Sequence, residues 1–208
     1  MEIIVISPEG DFPNEHDWVT KLFAAGLARF HLRKPRMTEK QLQHYLDCIP
    51  ENFRSRVVTH QAYNLVDDYE LAGWHIKDDA VQVSWAEDLR TKRETGKILS
   101  RAIHRLDDLD QDLRGWDYVF LSPVFESISK MEYGPKWKES QLTAALRYCR
   151  DAYHTRVFAL GGVDESRIHS CNLMGFDGVA LLGAVWKSRY PLEAFLRAQE
   201  ALNLATPS

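Results

Sequence analysis

Residues 156–186, RVFALGGVDESRIHSCNLMGFDGVALLGAVW, decide the fold. Val157-Phe158-Ala159-Leu160 is an apolar run closed by Gly161-Gly162, and Val179-Ala180-Leu181-Leu182 is a second, closed by Gly183. Short apolar runs bounded by glycine read as buried strands. Between them, Asp164 is placed to cap a helix reaching Met174, with Glu165 in its first turn, Ile168 and Leu173 as apolar residues and Gly175 just past its end. The whole is one βαβ unit. Its glycine turns follow the C-terminal ends of the strands, where a missing Cβ lets backbone N–H groups approach a ligand. The same dipeptide also fits a plain tight turn.

Working outward, the unit repeats. Strands are predicted over residues 2–6, 28–32, 57–59, 73–76, 98–103 and 117–121. Helices are predicted over 15–25, with Trp18, Leu22, Phe23 and Ala25 on one face, then from the Thr38/Gln41 capping box to Ile49-Pro50, and over 64–71, 85–93, 106–113, 139–153 and 191–202. A long loop spans 122–137. Parallel β/α units in this number, in a chain of 208 residues, predict one domain folded as a closed (β/α)8 TIM barrel with short loops. An open doubly wound sheet loses its usual support, because the chain has neither a Walker lysine motif nor Gly-x-Gly-x-x-Gly.

Composition narrows the partners. A net charge of -4 gives no long-range attraction to nucleic acid or anionic lipid. Cys48, Cys149 and Cys171 are odd in number and widely spaced, so no disulfide framework or zinc knuckle is indicated, and the expected compartment is reducing. No apolar run approaches the roughly 20 residues of a membrane span, and the first residues lack the pattern of a signal peptide, so a cytoplasmic location is expected. A homo-oligomer stays open.

In a barrel, polar residues just after the strands face the mouth of the site, and the loops after strands seven and eight form the usual phosphate cradle. Arg33, Lys34 and Arg36 follow strand two, His60 strand three, Lys77, Asp78 and Asp79 strand four, and His104 strand five, while Ser127, Ser129 and Lys130 lie in the loop after strand six. Cationic groups converging from three loops on glycine turns point to a phosphorylated small molecule, against the plainer reading of cations that only solvate the surface. His104 is the acid/base candidate, because an imidazole changes charge near neutral pH. His60, His75 and Asp78 have no characteristic ligand spacing, and no metal site is assigned.

These residues resemble the thiamine phosphate synthase and TenI-like family. The resemblance runs over nearly the whole chain and is carried by DYVFLSPVFESISK (117–130), VFALGGV (157–163), GFDGVALLGAV (175–185) and FHLRK (30–34). It implies that Ser127, Ser129 and Lys130 contact phosphate, that Arg33 is the arginine of the strand-two motif, and that Gly161, Gly162, Leu182 and Gly183 receive a thiazole phosphate. The departures matter as much. The family's synthases hold Mg²⁺ with an Asp in an Asn-Asp pair after strand three and another in Gly-Gln-x-Asp after strand four; here the pair reads Thr59-His60, and the second segment reads KDDA, with Ala80 at the carboxylate. Asp78 or Asp79 replaces it only if the loop shifts. Pro35 stands at a motif lysine and Ala102 at a serine. Losing hard oxygen ligands removes what a magnesium-assisted ionisation of pyrophosphate needs.

His104, by contrast, matches a histidine of TenI-like thiazole tautomerases, which need a phosphate cradle and a proton carrier but no metal. The expectation is therefore a thiazole tautomerase without a cofactor. The alternatives are thiamine phosphate synthase, with Mg²⁺, and a phosphate-ligand-binding protein without catalysis; phosphoribosylanthranilate isomerase is a more distant one.

Overall fold

The computed structural model describes residues 1–77, 96–125 and 137–205. Eight strands run in order: β1 (Glu2–Ile6), β2 (Arg29–Leu32), β3 (Val57–Thr59), β4 (Gly73–Ile76), β5 (Ile98–Ile103), β6 (Tyr118–Leu121), β7 (Arg156–Leu160) and β8 (Gly178–Leu181). Each pairs in parallel with the next, and β1 also pairs with β8, so the sheet closes into the expected barrel. Every strand lies within one residue of its predicted range.

Strand alternation sorts the side chains into two apolar layers. Ile4, Ile6, Tyr118, Phe120, Phe158 and Ala180 fill the inside of the barrel. Ile3, Val5, Phe30, Leu32, Val119, Leu121 and Val179 belong to the outer layer, where the helices cover the sheet. Burying each large side chain contributes roughly 1.5–3 kcal/mol. Gly178 shows how closely the interior is filled: a Cβ there would lie 2.3 Å from the Phe158 ring and 2.4 Å from the Glu2 carbonyl. The seam between first and last strands is tied at both rims. At the N-terminal rim Glu2 accepts from Arg29 Nε at 3.3 Å and from Arg156 Nη1 at 3.1 Å. At the other, Trp186 Nε1 donates to the Ile6 carbonyl at 2.6 Å.

The helices depart from expectation where local chemistry competes. Glu15–Ala24 buries Val19, Leu22 and Phe23, while Trp18 is only half-buried, and Gly26 at φ 96° turns the chain into β2. Thr38 and Gln41 make the reciprocal capping box that starts Glu39–Asp47, and a separate short helix, Glu51–Arg54, follows Pro50. The predicted 64–71 helix contracts to Leu65–Asp68, because Ala62 and Glu70 adopt left-handed φ values of 50° and 52° on either side. The predicted 106–113 helix is a 3-10 turn over Leu106–Asp110, rich in aspartates that compete for backbone groups. Before β8, a 3-10 turn (Glu165–Arg167) leads into Ile168–Met174, with Gly175 left-handed at its end as expected. The inward residues there are Ile168, Cys171 and Met174, while the apolar Leu173 is 70% exposed. Glu139–Tyr153 stands as predicted, and Pro191–Ala205 runs three residues beyond the predicted end. The predicted 85–93 helix lies outside the described residues.

Candidate functional site

The C-terminal mouth of the barrel holds a cavity of about 800 Å³ on its β6–β8 side. Its walls are Ser122, Leu160, Gly161, Gly162, Val163 and Asp164 from the β6 and β7 ends, and Ala180, Leu182, Gly183, Ala184 and Lys187 from β8 and the short helix Gly183–Trp186. Gly161, Gly162, Leu182 and Gly183, all predicted from sequence, therefore meet in one place. Their glycines are not equivalent. Gly161, at φ +91°, would place a Cβ 2.8 Å from Pro123, so its lack of a side chain serves the packing of the β6 and β7 loops. Gly162 is also left-handed, and its carbonyl accepts from Arg167. A Cβ at Gly183 would meet nothing closer than the Lys187 side chain at 3.7 Å, an ordinary contact. Packing around this position therefore does not demand glycine. A second concavity, of about 770 Å³, lies along one outer face of Glu139–Tyr153, away from the strand ends, and holds none of the predicted residues.

Lys187 was missed in the sequence. It lies four residues after Gly183, and its stem passes beside that glycine into the cavity wall. Only the i, i+4 spacing from a glycine thought functional gave any signal. Asp164, also in the wall, is engaged locally: its carboxylate accepts from the Ser166 backbone N–H at 3.1 Å and hydroxyl at 2.6 Å. Ser127, Ser129 and Lys130 fall outside the described residues, as do Asp78, Asp79 and Ala80.

His104 stands exposed just after β5. Its Nδ1 lies 3.0 Å from the Ser122 carbonyl, so the neutral ring carries its proton on Nδ1 and its lone pair on Nε2. Ser122 is itself a wall of the cavity, so the imidazole is anchored to a wall residue without lining the cavity itself.

The basic loop after β2 divides. Arg33 is paired with Glu9 and held by Ser7, whose Oγ accepts from the Arg33 N–H at 2.7 Å and donates to its carbonyl at 3.0 Å. The guanidinium holds the Glu9 carboxyl below its usual range. Lys34, expected at the mouth, is 1% exposed and bonds to Glu15 at 2.6 Å and to the Gly10 carbonyl at 3.0 Å. An ammonium so buried has to be paired, and helix Glu15–Ala24 supplies the carboxylate, with Tyr45 Oη donating to it at 2.7 Å. Burial pushes the Glu15 carboxyl up, against the bonds from Lys34 and Tyr45. Lys34 is thus a packing group, not part of a phosphate cradle.

On the β2–β4 side, closure of the barrel collects three histidines. His31 projects inward from β2, where it contacts the rings of Tyr118 and Phe120, and His60 and His75 join it from the end of β3 and from β4. His31 Nδ1 is 2.9 Å from His60 Nε2, His31 Nε2 is 2.6 Å from Tyr118 Oη, and His75 Nδ1 is 2.9 Å from Ser100 Oγ. His60 and His75 stack with ring centroids 4.0 Å apart. Burial is the main cause that drives all three away from the protonated form, with His75 down to about 3. The nearby Arg33 acts in the same direction on His60 and His75, and Lys77 on His60. Sequence reading had weighed His60 and His75 only with Asp78; His31, 29 positions before His60, gave no local signal.

The oxygen ligands that Mg²⁺ requires are not what this edge presents. Thr59 Oγ1 donates to the Gln61 carbonyl at 2.6 Å in a local turn, and His60 offers a buried ring nitrogen. Thr59 and His60, the described residues at this edge, do not fit Mg²⁺.

Comparison with known proteins adds kinship. The chain is 24% identical over 196 residues to a thiamine-phosphate synthase of Chlamydia caviae, covering 91% of this chain and 89% of that one. It is 26% identical over 188 residues to a putative thiamine-phosphate synthase of Geobacter sulfurreducens, covering 88% and 84%. A 28% match over 162 residues to a thiamine-phosphate synthase of Synechococcus covers 77% of this chain but only 43% of that protein's length. Among solved structures, thiamine phosphate pyrophosphorylase from Bacteroides thetaiotaomicron superposes with a TM-score of 0.80 over the full length of both chains at 24% identity. The one from Pyrococcus furiosus gives 0.79 at 13%, covering 99% and 97%; at these identities both show the shared fold. The family model described as thiamine monophosphate synthase matches residues 3–185, and with that match the chain belongs to the thiamine monophosphate synthase/TenI family.

Proposed function

We propose that the mouth of this barrel binds a phosphorylated thiazole and that the chain works in the formation of thiamine phosphate. The observation that carries this reading is the coincidence of the family match over residues 3–185 with a cavity walled by Gly161, Gly162, Leu182 and Gly183. Lys187 supplies a cation at the cavity wall, and Ser127, Ser129 and Lys130 belong to the same proposal as further phosphate contacts. A cradle of backbone N–H groups and one or two cations suits a phosphate dianion, whose oxygens accept charge-assisted bonds.

The reaction is taken from the relatives first. They are named thiamine-phosphate synthase, and this supports a transferase that joins a pyrimidine pyrophosphate to thiazole phosphate, ahead of the tautomerase favoured from sequence. That reaction needs its hard ligands from outside Thr59 and His60, and Asp78 and Asp79 are the acids that follow Lys77 in the chain.

A specific observation keeps the tautomerase as the second reading. His104 Nδ1 is held by the carbonyl of Ser122, a residue of the cavity wall, and an imidazole so oriented is a group that can take a proton from a thiazole and return it at another atom. No metal is needed for that transfer.

One preparation decides. Pyrophosphate release that requires Mg²⁺ and both substrates supports the synthase. Interconversion of thiazole phosphate carboxylate tautomers in the presence of a chelator supports the tautomerase. Binding of thiazole phosphate by thermal shift, with neither reaction, leaves a ligand-binding protein. No binding at all refutes the cavity assignment.

A further inference from the structure

We propose that His31, His60 and His75 form a binding site for one divalent transition-metal ion, best matched to zinc, inside the β2–β4 side of the barrel. The three side chains come from three adjacent strands and each offers one ring nitrogen, with all three nitrogens within 4.8 Å of one another. Zinc binds histidine nitrogens at about 2.0–2.1 Å in a tetrahedral arrangement, so ligand nitrogens sit roughly 3.4 Å apart around it. The 2.9 Å contact between His31 Nδ1 and His60 Nε2 has to open by about half an ångström for this. The third nitrogen, within 4.8 Å of the others, closes by up to about 1.4 Å. The His31–His60 hydrogen bond is given up for this, and the rings of His60 and His75, stacked with centroids 4.0 Å apart, have to turn out of their stack to aim both nitrogens at one ion.

The other nitrogens are already held as a metal site requires. Metal-bound imidazoles almost always give their second nitrogen to an oxygen that fixes ring orientation. Here Tyr118 Oη holds His31 Nε2 at 2.6 Å, and Ser100 Oγ holds His75 Nδ1 at 2.9 Å. This assigns His31 Nδ1, His60 Nε2 and His75 Nε2 to the ion. The hydrogen now shared between His31 and His60 leaves that contact when His31 carries its proton on Nε2, facing Tyr118 Oη, and His60 carries its proton on Nδ1, with no net gain or loss of protons.

A plainer role for the cluster is that of a hydrogen-bonded plug in the barrel. It accounts for the Tyr118–His31–His60 chain but not for the choice of a third histidine stacked on the second, where an apolar ring would pack at lower desolvation cost. The site carries a cost of its own. Arg29, Arg33 and Lys77 act electrostatically on these rings, and they repel a bare cation. Arg33 is offset by Glu9, and three imidazoles leave the fourth position of a tetrahedral ion for a hydroxide or another anion, which these cations favour.

The test reads binding, not turnover, so its failure leaves the proposed function standing. The full chain, stripped with a chelator, is titrated with Co²⁺, and Zn²⁺ is then added in competition. The expected result is one Co²⁺ per chain with the intense visible absorption of a four-coordinate ion, displaced by Zn²⁺. His60→Asn and His75→Gln, each shown folded by circular dichroism, should lose that band, and Ser100→Ala should weaken Zn²⁺ binding about 10- to 100-fold. A weak octahedral band in the wild type, or no band, overturns the site even if the histidine variants fail to fold. So does an undiminished band in a folded His60→Asn, which would put the ion on other histidines.

Discussion

Replacing Gly183 by alanine separates stability from binding in a way that the neighbouring glycines do not. The added Cβ meets only the stem of Lys187, at 3.7 Å, and Gly183 does not need a left-handed φ. It is also the first residue of a helix, so alanine restricts the unfolded chain and stabilises the fold by up to about 1 kcal/mol. A phosphate lying on that backbone is pushed away by the methyl group. Losing one charge-assisted hydrogen bond costs roughly 1.5–3 kcal/mol, which is a 10- to 150-fold weaker Kd. Gly161→Ala gives the contrast: its φ of +91° and the 2.8 Å approach to Pro123 make that variant lose stability as well, by at least about 1–2 kcal/mol from the backbone alone. Calorimetric titration with thiazole phosphate and thermal melts on the two variants provide the measurements. A Gly183→Ala protein that melts at or above the wild-type temperature and still binds thiazole phosphate with unchanged Kd would refute the cradle.

Lys187→Ala is expected to weaken thiazole phosphate binding by about 10-fold or more and to leave the dephosphorylated thiazole unaffected, since its charge serves only the phosphate; equal losses for both ligands in a binding titration would make it a packing residue. His104→Ala should keep the melting temperature and ligand Kd while lowering tautomer interconversion about 10²–10⁴-fold, and turnover intact per folded molecule would remove the acid/base role. The buried histidines make stability pH-dependent. His75 falls from its ordinary 6.5 to about 3 in the fold, so the unfolded chain binds protons first, and stability present above pH 6.5 is lost progressively as pH falls toward 3. Between pH 6.5 and 5, where carboxylates contribute least, chemical denaturation should show a falling free energy that is shallower in His75→Gln; parallel slopes would mean that the ring is not held neutral.

The barrel was legible because β1, β6, β7 and β8 are short apolar or β-branched runs followed within two residues by Pro or Gly, and in a closed parallel barrel both faces of such a strand are buried. Helix ends were less legible. Ile168 and Leu173 are both apolar in the sequence, but a 3-10 turn over Glu165–Arg167 precedes the helix, whose inward residues are Ile168, Cys171 and Met174. At the mouth, glycines that cluster after β7 and β8 could be read because each lies directly after its strand. Lys34 misled for the opposite reason: a basic triplet announces positive charge, and nothing in it says that Glu15, 19 residues earlier, folds back to bury one member. The histidine group was illegible in principle from spacing, since His31, His60 and His75 become neighbours only through the β2–β3 and β3–β4 registers.

The seam between β1 and β8 sets the order in which this protein can be completed on the ribosome. Strands β2 to β7 each emerge next to a partner already made or soon to follow, but Ile3 and Ile4 wait for Val179 and Ala180, and the indole of Trp186 reaches a carbonyl 180 positions earlier. Until then the nascent sheet carries two bare edges, β1 and its newest strand, each with unpaired N–H and C=O groups. A chain interrupted anywhere short of β8 keeps both. Premature termination here should therefore yield not a slightly smaller barrel but a sticky open sheet that stays dependent on chaperones, because the strand that closes it is never made.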